Sequence, residues 1–466
     1  MSAITVAPPV LERNQPTGPR LIPSIETYPN LVLFAQTQIG KLAIWGLFVL
    51  GLLYFLRTPL EWLPTAVILL LVTFLPKWRW ILVTAGTLAV TGIQTRSLYF
   101  LAAIALGVLL FWCARRWPHT SFGRRPIAYL FAGCTLLIVV CNAIPRNSSS
   151  FLPAWQVAQL AATYMWFIGY ALMDRAATVQ RDLSLEAGSL HPFWGSTTTP
   201  FPKGAAYLRR IEAGNAEQLA VTQLKGLKLL AWAIILQLFY IQWVFLFHGY
   251  LHIPFAADAL AKSVQRTPYP WYVCWESQLL SFFEFLLALS IIGHRIIACC
   301  RLAGFNALRN TYRPLSATTI SEFFNRFYYY FKELLVDFFF YPTFVRYFKK
   351  HPRLRLVAAT FAAAAFGNMF FHFTRDYWMV RTVGLGNALV NFQVFAFYCL
   401  VLATALSISQ LRRRKAFHPG LLRGRVFPAA WVMLFYCVLD VFGSTERNYP
   451  ILEHFRYLGH MFGVNF

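Results

Sequence analysis

The sequence predicts an all-α, polytopic integral membrane protein, and two observations carry that prediction. Of the 466 residues, 58% are hydrophobic and only 13% are charged, with a mean hydropathy of +0.51. Soluble domains contain roughly 45–50% apolar and about 25% charged residues, so a soluble chain of this length could not bury such an excess of apolar side chains. The second observation is that these apolar residues are grouped into long runs.

Eleven apolar runs are candidates for transmembrane helices. At ~1.5 Å rise per residue, a helix of roughly 20 apolar residues crosses the hydrocarbon core of a bilayer. In chain order the predicted spans are 31–56, 62–75, 78–93, 98–113, 126–144, 154–173, 228–249, 276–300, 356–374, 387–410 and 427–443. A further stretch, 327–345, contains Pro342 and the charged residues Lys332, Glu333 and Asp337. Charges at membrane depth need protein or water around them, so this stretch is predicted to be re-entrant or interfacial.

The remaining composition predicts one membrane domain preceded by a tail. Residues 1–30 contain six prolines and scattered charges but no apolar core before a cleavage site, which predicts a polar tail and no signal peptide. Residues 31–466 contain no internal repeat and are predicted to form a single integral membrane domain. The eight cysteines form no C-x-x-C spacing and no Cys/His cluster, so we expect neither a disulfide framework nor a metal site.

Loop charges predict the orientation in the membrane. The formal net charge is +24, and the basic residues concentrate in 114–125, 345–355 and 411–426. The nearly balanced segments are 144–153, 250–274, 375–386 and the tail after 443. Basic loops remain in the cytoplasm, together with the polar stretch 174–227, and the alternation requires that 327–345 enter and leave on one side. No RNA-binding pattern accompanies the charge, so membrane lipids are expected partners and nucleic acid is not.

His372 is the clearest ionisable residue at membrane depth. On a helix, Asn368, Arg375 and Asp376 share its face, at positions i−4, i+3 and i+4. The preceding turns, 358–365, are mostly alanine, which lets neighbouring helices approach closely. Ionisable groups at this depth are by default functional. One interpretation is therefore a catalytic histidine, and the other is a histidine that hydrogen-bonds a neighbouring helix without any chemistry.

A second polar cluster begins at a predicted helix start. Thr319 and Glu322 have the spacing of a capping box, which places Asn325, Arg326 and Tyr328 in the first two turns of the helix. The alternative is a cytoplasmic surface helix whose Arg326 contacts lipid phosphates.

Glu284 is an isolated acid within the predicted span 276–300, apart from Glu276 at its start. It is either the structural partner of a basic residue or a lining group of a polar tunnel.

Residues 276–376 resemble the membrane-bound O-acyltransferase family, especially the branch of bacterial alginate O-acetylases and D-alanyl-teichoic-acid acyltransferases. The order of that branch's motifs is followed by Asn310, Pro314, the run from Glu322 to Tyr328, Asp337, Pro342 and Phe371-His372. Upstream, Phe283-Glu284-Phe285 and the segment from Tyr164 through Tyr170 to Asp174 resemble two further family motifs, so the family-like core covers about 160–410. Two positions depart from the family pattern: Tyr328 replaces its Asn or His, and Phe373 replaces the glycine after the histidine.

The resemblance implies a central tunnel and acyl transfer within the plasma (inner) membrane. The donor would be a cytoplasmic thioester, acyl-CoA or an acyl carrier protein, and the acceptor a hydroxyl or an amine, with no tightly bound cofactor. His372 would be the general base, with Asn325 or Tyr328 as hydrogen-bond donors to the oxyanion. The residues expected to bind substrate are Glu322, Arg326, Glu284, Asn368 and Asp376.

Two alternatives to the enzyme remain at this point. A transporter would use His372, Glu284 and Asp376 as a proton or ion path, although the repeated halves common in transporters are not evident in this sequence. The other alternative is an inactive scaffold with the same fold.

Overall fold

The computed structural model describes residues 21–56, 59–95, 99–174, 183–195, 199–412, 420, 422–443 and 449–464. Over these ranges the protein is helical and contains no β-strand, which confirms the predicted all-α class. Residues 1–20 of the predicted tail and 413–419 of the predicted basic loop lie outside the described residues.

In the first half of the described chain, the longest helix is Ala216–Val244, which packs against Gln38–Phe55 and against Trp271–Leu302 of the second half. The helices of the first half are Pro29–Gln36, Gln38–Phe55, Pro59–Phe74, Arg79–Thr95, Tyr99–Arg116, Ser121–Arg124, Pro126–Ala143, Phe151–Asp174, Leu183–Ser189, Ala205–Arg210 and Ala216–Val244. Those of the second half are Ala256–Val264, Trp271–Leu302, Ile320–Phe327, Tyr329–Leu335, Tyr341–Arg346, Pro352–Phe361, Asn368–Arg375, Tyr377–Val383, Leu385–Leu411, Phe427–Asp440 and Ile451–Met461. Four π-helical turns adjoin them, namely Phe245–Tyr250, Val336–Phe340, Ala362–Gly367 and Leu422–Val426, and short 3₁₀ turns are Ile25–Thr27, Pro76–Trp78 and Pro314–Ser316.

Among the described residues, seven helices are long and apolar enough to cross a membrane. They are Gln38–Phe55, Pro126–Ala143, Ala216–Tyr250, Trp271–Leu302, Pro352–Arg375, Leu385–Leu411 and Leu422–Asp440. An eighth candidate is a pair, Trp62–Phe74 and Pro76–Ile93, bent by 115°. The protein is thus compatible with a polytopic membrane protein, but the predicted count of eleven spans is not confirmed. Tyr99–Arg116 and Phe151–Asp174 are helical where spans were predicted, yet neither is among the seven.

Helix starts follow side-chain caps that the sequence supplies. Thr37 accepts a hydrogen bond from the Gly40 amide at 3.0 Å, and Asn215 accepts one from the Gln218 amide at 2.8 Å. Each cap satisfies an amide that the first turn leaves without a carbonyl partner. The Asn215 cap explains why this helix begins at Ala216, well before the predicted span 228–249.

The predicted interfacial stretch 327–345 is a continuous helix from Tyr329 to Arg346, called here the charged helix. A π-helical turn, Val336–Phe340, lies directly before Pro342. Because proline has no amide hydrogen and crowds the preceding turn, this wider turn lets the helix continue past Pro342. The charged helix is not among the seven candidate spans, and its re-entrant path stays a prediction.

Candidate functional site

The candidate site is built on the span Pro352–Arg375, which a π-helical turn interrupts at Ala362–Gly367. Ala363, Ala364 and Ala365 are buried, as expected for small residues at a close helix contact. Gly367 is required by its neighbour, because a Cβ there would lie 2.5 Å from Cδ2 of Phe339. Such turns are frequent at functional sites, and this one sets the rotation of the eight residues that follow, Asn368–Arg375.

His372 lies half-buried among aromatic rings. Its ring centroid is 4.0 Å from that of Phe395, on the facing helix Leu385–Leu411, and 6.0 Å from that of Phe331, on the charged helix. Its Nδ1 atom is buried. The imidazole therefore lies where three helices meet, with its Nδ1 atom turned away from solvent.

The predicted polar face around His372 is present on this helix. Asn368 is 2% exposed, and its side-chain oxygen has no hydrogen-bond partner in the described part of the chain. At the other end, Arg375 donates to both carboxylate oxygens of Asp376, at 2.7 and 3.0 Å. The Asp376 amide donates to the His372 carbonyl at 2.9 Å, which closes the last turn of the helix. Asp376 is therefore an ion-pair partner and a helix terminus.

Tyr328 reaches the same aromatic pocket from a break between two helices. The helix Ile320–Phe327 ends immediately before it, and the charged helix begins immediately after it. Its hydroxyl is 3.2 Å from Oγ1 of Thr199, and its ring centroid is 5.2 Å from that of Phe331. Tyr328 and His372 thus share the Phe331 ring as a neighbour.

Glu322 and Arg326 are engaged in the start of their own helix. The Thr319 hydroxyl accepts from the Glu322 amide at 3.1 Å, as the capping box predicted. The Glu322 carboxylate in turn accepts from the Thr318 amide at 2.8 Å and pairs with Arg326. Arg326 also donates to the Ser316 hydroxyl at 2.7 Å. Both side chains therefore stabilise the start of this helix. The substrate binding expected of them stays a prediction.

Asn325 lies on the exposed face of its helix, away from the rings that surround His372. It lines a separate cavity of about 280 Å³. The other lining residues come from four helices and are Ser321, Phe324, Lys332, Glu333, Leu335, Val336, Phe340, Tyr341, Thr360, Ala363, Ala364, Leu406 and Gln410. This placement suits Asn325 to binding in that cavity and not to contact with His372.

Glu284 is paired with a histidine. Its Oε1 is 2.8 Å from Nε2 of His248, whose Nδ1 is 2.6 Å from the Ile253 carbonyl oxygen. The His248 ring also stacks on Phe255 at 3.8 Å. Of the two interpretations of Glu284, this arrangement matches the structural partner of a basic residue.

An ion cluster beside the site had no counterpart in the sequence analysis. The Lys203 ammonium lies 2.6 Å from Oε2 of Glu333 and 2.8 Å from Oδ2 of Asp337, and the Tyr170 hydroxyl donates to the same Asp337 oxygen at 3.1 Å. Burial lowers the pKa of Lys203, but Asp337 and Glu333 outweigh this effect and hold its pKa above the ordinary value. The charged residues of the charged helix were evident in the sequence, but no spacing in the sequence indicated that Lys203 is the partner of Glu333 and Asp337.

Comparison with known proteins adds no relative to this picture. No protein-family model matches the chain, and no curated protein matches it.

Proposed function

We propose that the protein is a membrane-embedded acyltransferase. It would move an acyl group from a thioester, acyl-CoA or an acyl carrier protein, to a hydroxyl or amine of an acceptor, in the plasma (inner) membrane. The proposal rests on the resemblance of 160–410 to membrane-bound O-acyltransferases and on the surroundings of His372.

The placement of His372 is the observation that carries the proposal. The imidazole lies between Phe395 and Phe331, and one turn earlier on the same helix the buried side-chain oxygen of Asn368 lacks a protein partner within the described residues. A polar group left unsatisfied in a membrane interior is destabilising, so its retention beside a histidine supports a binding role. The aromatic rings beside His372 would reduce the access of water to a bound acyl thioester and so slow its hydrolysis.

The chemistry requires one proton transfer and one bond exchange. As the acceptor oxygen or nitrogen attacks the thioester carbonyl, the neutral His372 imidazole takes the acceptor's proton. Collapse of the tetrahedral intermediate breaks the carbon–sulfur bond, and the leaving thiolate receives that proton from the imidazolium. General-base catalysis of this kind contributes on the order of 10²–10⁴-fold. The Tyr328 phenol, in the same pocket, is the proposed donor to the oxyanion.

The cavity beside Asn325 is the proposed site for the polar part of the donor. Asn325, Gln410 and Ser321 offer amide and hydroxyl groups that suit the amides of a pantetheine arm. The cavity also touches Ala364, which lies on the His372 helix, roughly 12 Å of helix rise before the histidine. The exposed basic residues Lys349 and Lys350 would attract phosphates or an acidic carrier protein, and they suit anionic lipid as well.

The ion pairs favour this proposal over an ion path. A path through His372, Glu284 and Asp376 needs carboxylates that can exchange protons or ions with their neighbours. Asp376 is instead held in a bidentate contact by Arg375, which stays charged and cannot pass on a proton. Glu284 pairs with His248 and not with another member of that path.

The direct test is acyl transfer by wild-type protein and by His372→Ala. Equal amounts of each, in membranes from a native-like host, are incubated with radiolabelled acyl thioesters of several chain lengths on CoA and on carrier protein. We expect the wild type to move label into a non-thioester product and His372→Ala to lose at least about 10²-fold of that rate. The labelled product then identifies the acceptor.

His351→Ala is the matched control, because His351 is exposed and precedes the same helix. It should transfer label at the wild-type rate. Equal transfer by His372→Ala would show that His372 is structural. Intact thioester with every donor, in host membranes that contain the acceptor, would reject the acyltransferase and favour transport or a scaffold.

A further inference from the structure

The loop 199–204 crosses the break between the two helices at Tyr328, and is called here the strap. At one end, the Lys203 ammonium bridges Glu333 and Asp337, which lie one turn apart on the charged helix. The three side chains are only 14%, 18% and 16% exposed. Lys332 pairs with Glu333 as well, so two cations balance two carboxylates in this cluster.

The Lys203 end of the strap is closely fitted to its surroundings. A Cβ at Gly204 would lie 2.7 Å from Oδ2 of Asp174 and 2.9 Å from Cβ of Tyr170, so only glycine fits there. The same Asp174 oxygen accepts from the Ala206 amide at 2.9 Å, at the start of the helix Ala205–Arg210. The position of Lys203 is therefore fixed from the strap side too, and its ammonium meets the charged helix in one geometry.

The other end of the strap contacts the candidate site. Oγ1 of Thr199 is 3.2 Å from the Tyr328 hydroxyl, and the Phe201 ring stacks on the Tyr328 ring at 6.1 Å with an interplanar angle of 27°. Tyr328 lies at the break between the two helices, with φ −133° and ψ 70°. Its ring is held by contacts from the strap on one side and from Phe331, on the charged helix, on the other.

We propose that Lys203 is a positioning residue: it holds the strap on the charged helix, so that Thr199 and Phe201 fix the Tyr328 phenol beside Phe331, the ring that also neighbours His372. The inference rests on the proposed function for its effect on catalysis, but the positioning of Tyr328 is a separate, measurable statement. Lys203 itself would touch neither donor nor acceptor. Loss of its charge would leave the cluster with one uncompensated carboxylate and remove the ion pairs by which the strap is attached to the charged helix.

The test replaces Lys203 by methionine, which has a similar length and no charge, and by arginine, which keeps the charge. 3-Fluorotyrosine at position 328 reports the phenol environment through its ¹⁹F resonance, without any need for activity. In Lys203→Met we expect this resonance to shift or broaden, and kcat for acyl transfer to fall by about 10- to 100-fold with little change in KM. Lys203→Arg should largely restore both. An unchanged resonance in a folded Lys203→Met protein would overturn the proposal.

Two further variants separate positioning from general destabilisation. Lys228→Met removes a buried lysine from another ion pair, with Glu26, and should leave the Tyr328 resonance unchanged. The double variant Lys203→Met/Asp337→Asn restores charge balance, so it tests the strap if Lys203→Met alone does not fold. We expect it to shift the resonance, and a wild-type spectrum from it would equally overturn the proposal. If the resonance shifts but no variant or wild type transfers label, the proposed function fails while the positioning stands.

Discussion

Asn368 has a buried amide oxygen that finds no hydrogen-bond partner among the described residues, one helical turn before His372. Leaving such an oxygen unpaired costs roughly 1–3 kcal/mol. A residue that served packing alone would be better replaced by an apolar side chain of similar size. Under the proposed function, an acyl acceptor or donor would supply the hydrogen bond that this oxygen lacks within the described residues.

Replacing Asn368 by leucine tests this interpretation. We expect the free energy of unfolding in detergent to stay the same or to rise by about 1 kcal/mol, because the unpaired amide oxygen is removed. The rate of acyl transfer should fall. Thr374→Val is the control, since the Thr374 hydroxyl is buried on the same helix but bonded to the Phe370 and Phe371 carbonyls, each at 3.0 Å. A marked loss of stability in Asn368→Leu with unchanged transfer would show that the oxygen is structural.

Local spacing predicted some of these residues and could not predict others. His372 and its polar face follow from helical periodicity within nine residues, and the Thr319 cap follows from a three-residue spacing. Asn325 and Tyr328 were expected on one helix, but the helix ends at Phe327, so one is exposed and the other enters the pocket. The ion pair of Lys203 joins residues far apart in the chain, a distance over which sequence spacing carries no information.

The π-helical turn Ala362–Gly367 is the element that orients the site. It contains one residue more per turn than an α-helix would, and its composition, mostly alanine, gives no sign of this in the sequence. A close helix contact at these alanines follows from their small size, and they are buried. The turn itself does not follow from local composition, and at its end Gly367 lies against the Phe339 ring of another helix.

Gly367→Ala should destabilise the protein by about 1–3 kcal/mol, because the new methyl group must displace the Phe339 ring. Gly133→Ala offers the opposite case, since no atom lies within 4 Å of the added Cβ in the helix Pro126–Ala143. There we expect no loss and up to about 1 kcal/mol of gain, from reduced backbone freedom. Thermal unfolding of the two variants in the same detergent checks the pair. Equal stability of both would mean that the contact at Gly367 relaxes freely.

At the scale of the whole molecule, composition predicted where apolar helices lie in the chain better than it predicted how many times the chain crosses the membrane. The seven candidate spanning helices of the described residues all overlap predicted runs, because length and apolar composition identify such helices in the sequence and in the structure alike. The number of crossings was less predictable, since it depends on how helices bend and pair. The bend after Phe74 is an example: two predicted spans are arms of one bent pair.

The C-terminal helix Ile451–Met461 is attached to Ala256–Val264 and its following turn by ion pairs that titrate. Glu453 accepts from both terminal nitrogens of Arg266, at 2.9 and 3.1 Å, and pairs with Arg456. The hydrogen bonds from Arg266 hold the pKa of Glu453 below its ordinary value of 4.5. Because the pKa of Glu453 is lower in the folded protein, the pairing stabilises the folded state at pH values above the ordinary pKa. This stabilisation is lost as the pH falls below the ordinary pKa and through the lowered one.

Acidification from pH 7 to below that value should therefore increase proteolysis and hydrogen exchange in 449–464. Glu453→Gln should show the looser attachment already at pH 7, with a weaker dependence on pH. The control is the helix Gln38–Phe55, whose exchange should not change between the two proteins. An identical pH response in Glu453→Gln would assign the effect to other groups.

The 115° bend between Phe74 and Pro76 also bears on the side of the membrane to which the chain returns. Measured along the axis of the first arm, the second arm runs backward, so the pair returns the chain toward the face from which it came. If both arms lie in the bilayer, the pair leaves on the side that it entered and adds no net crossing, whereas a straight pair would add one. Under that arrangement the bend sets the side on which every later residue emerges, His372 included. A straightened bend would then present the same side chains to the opposite compartment.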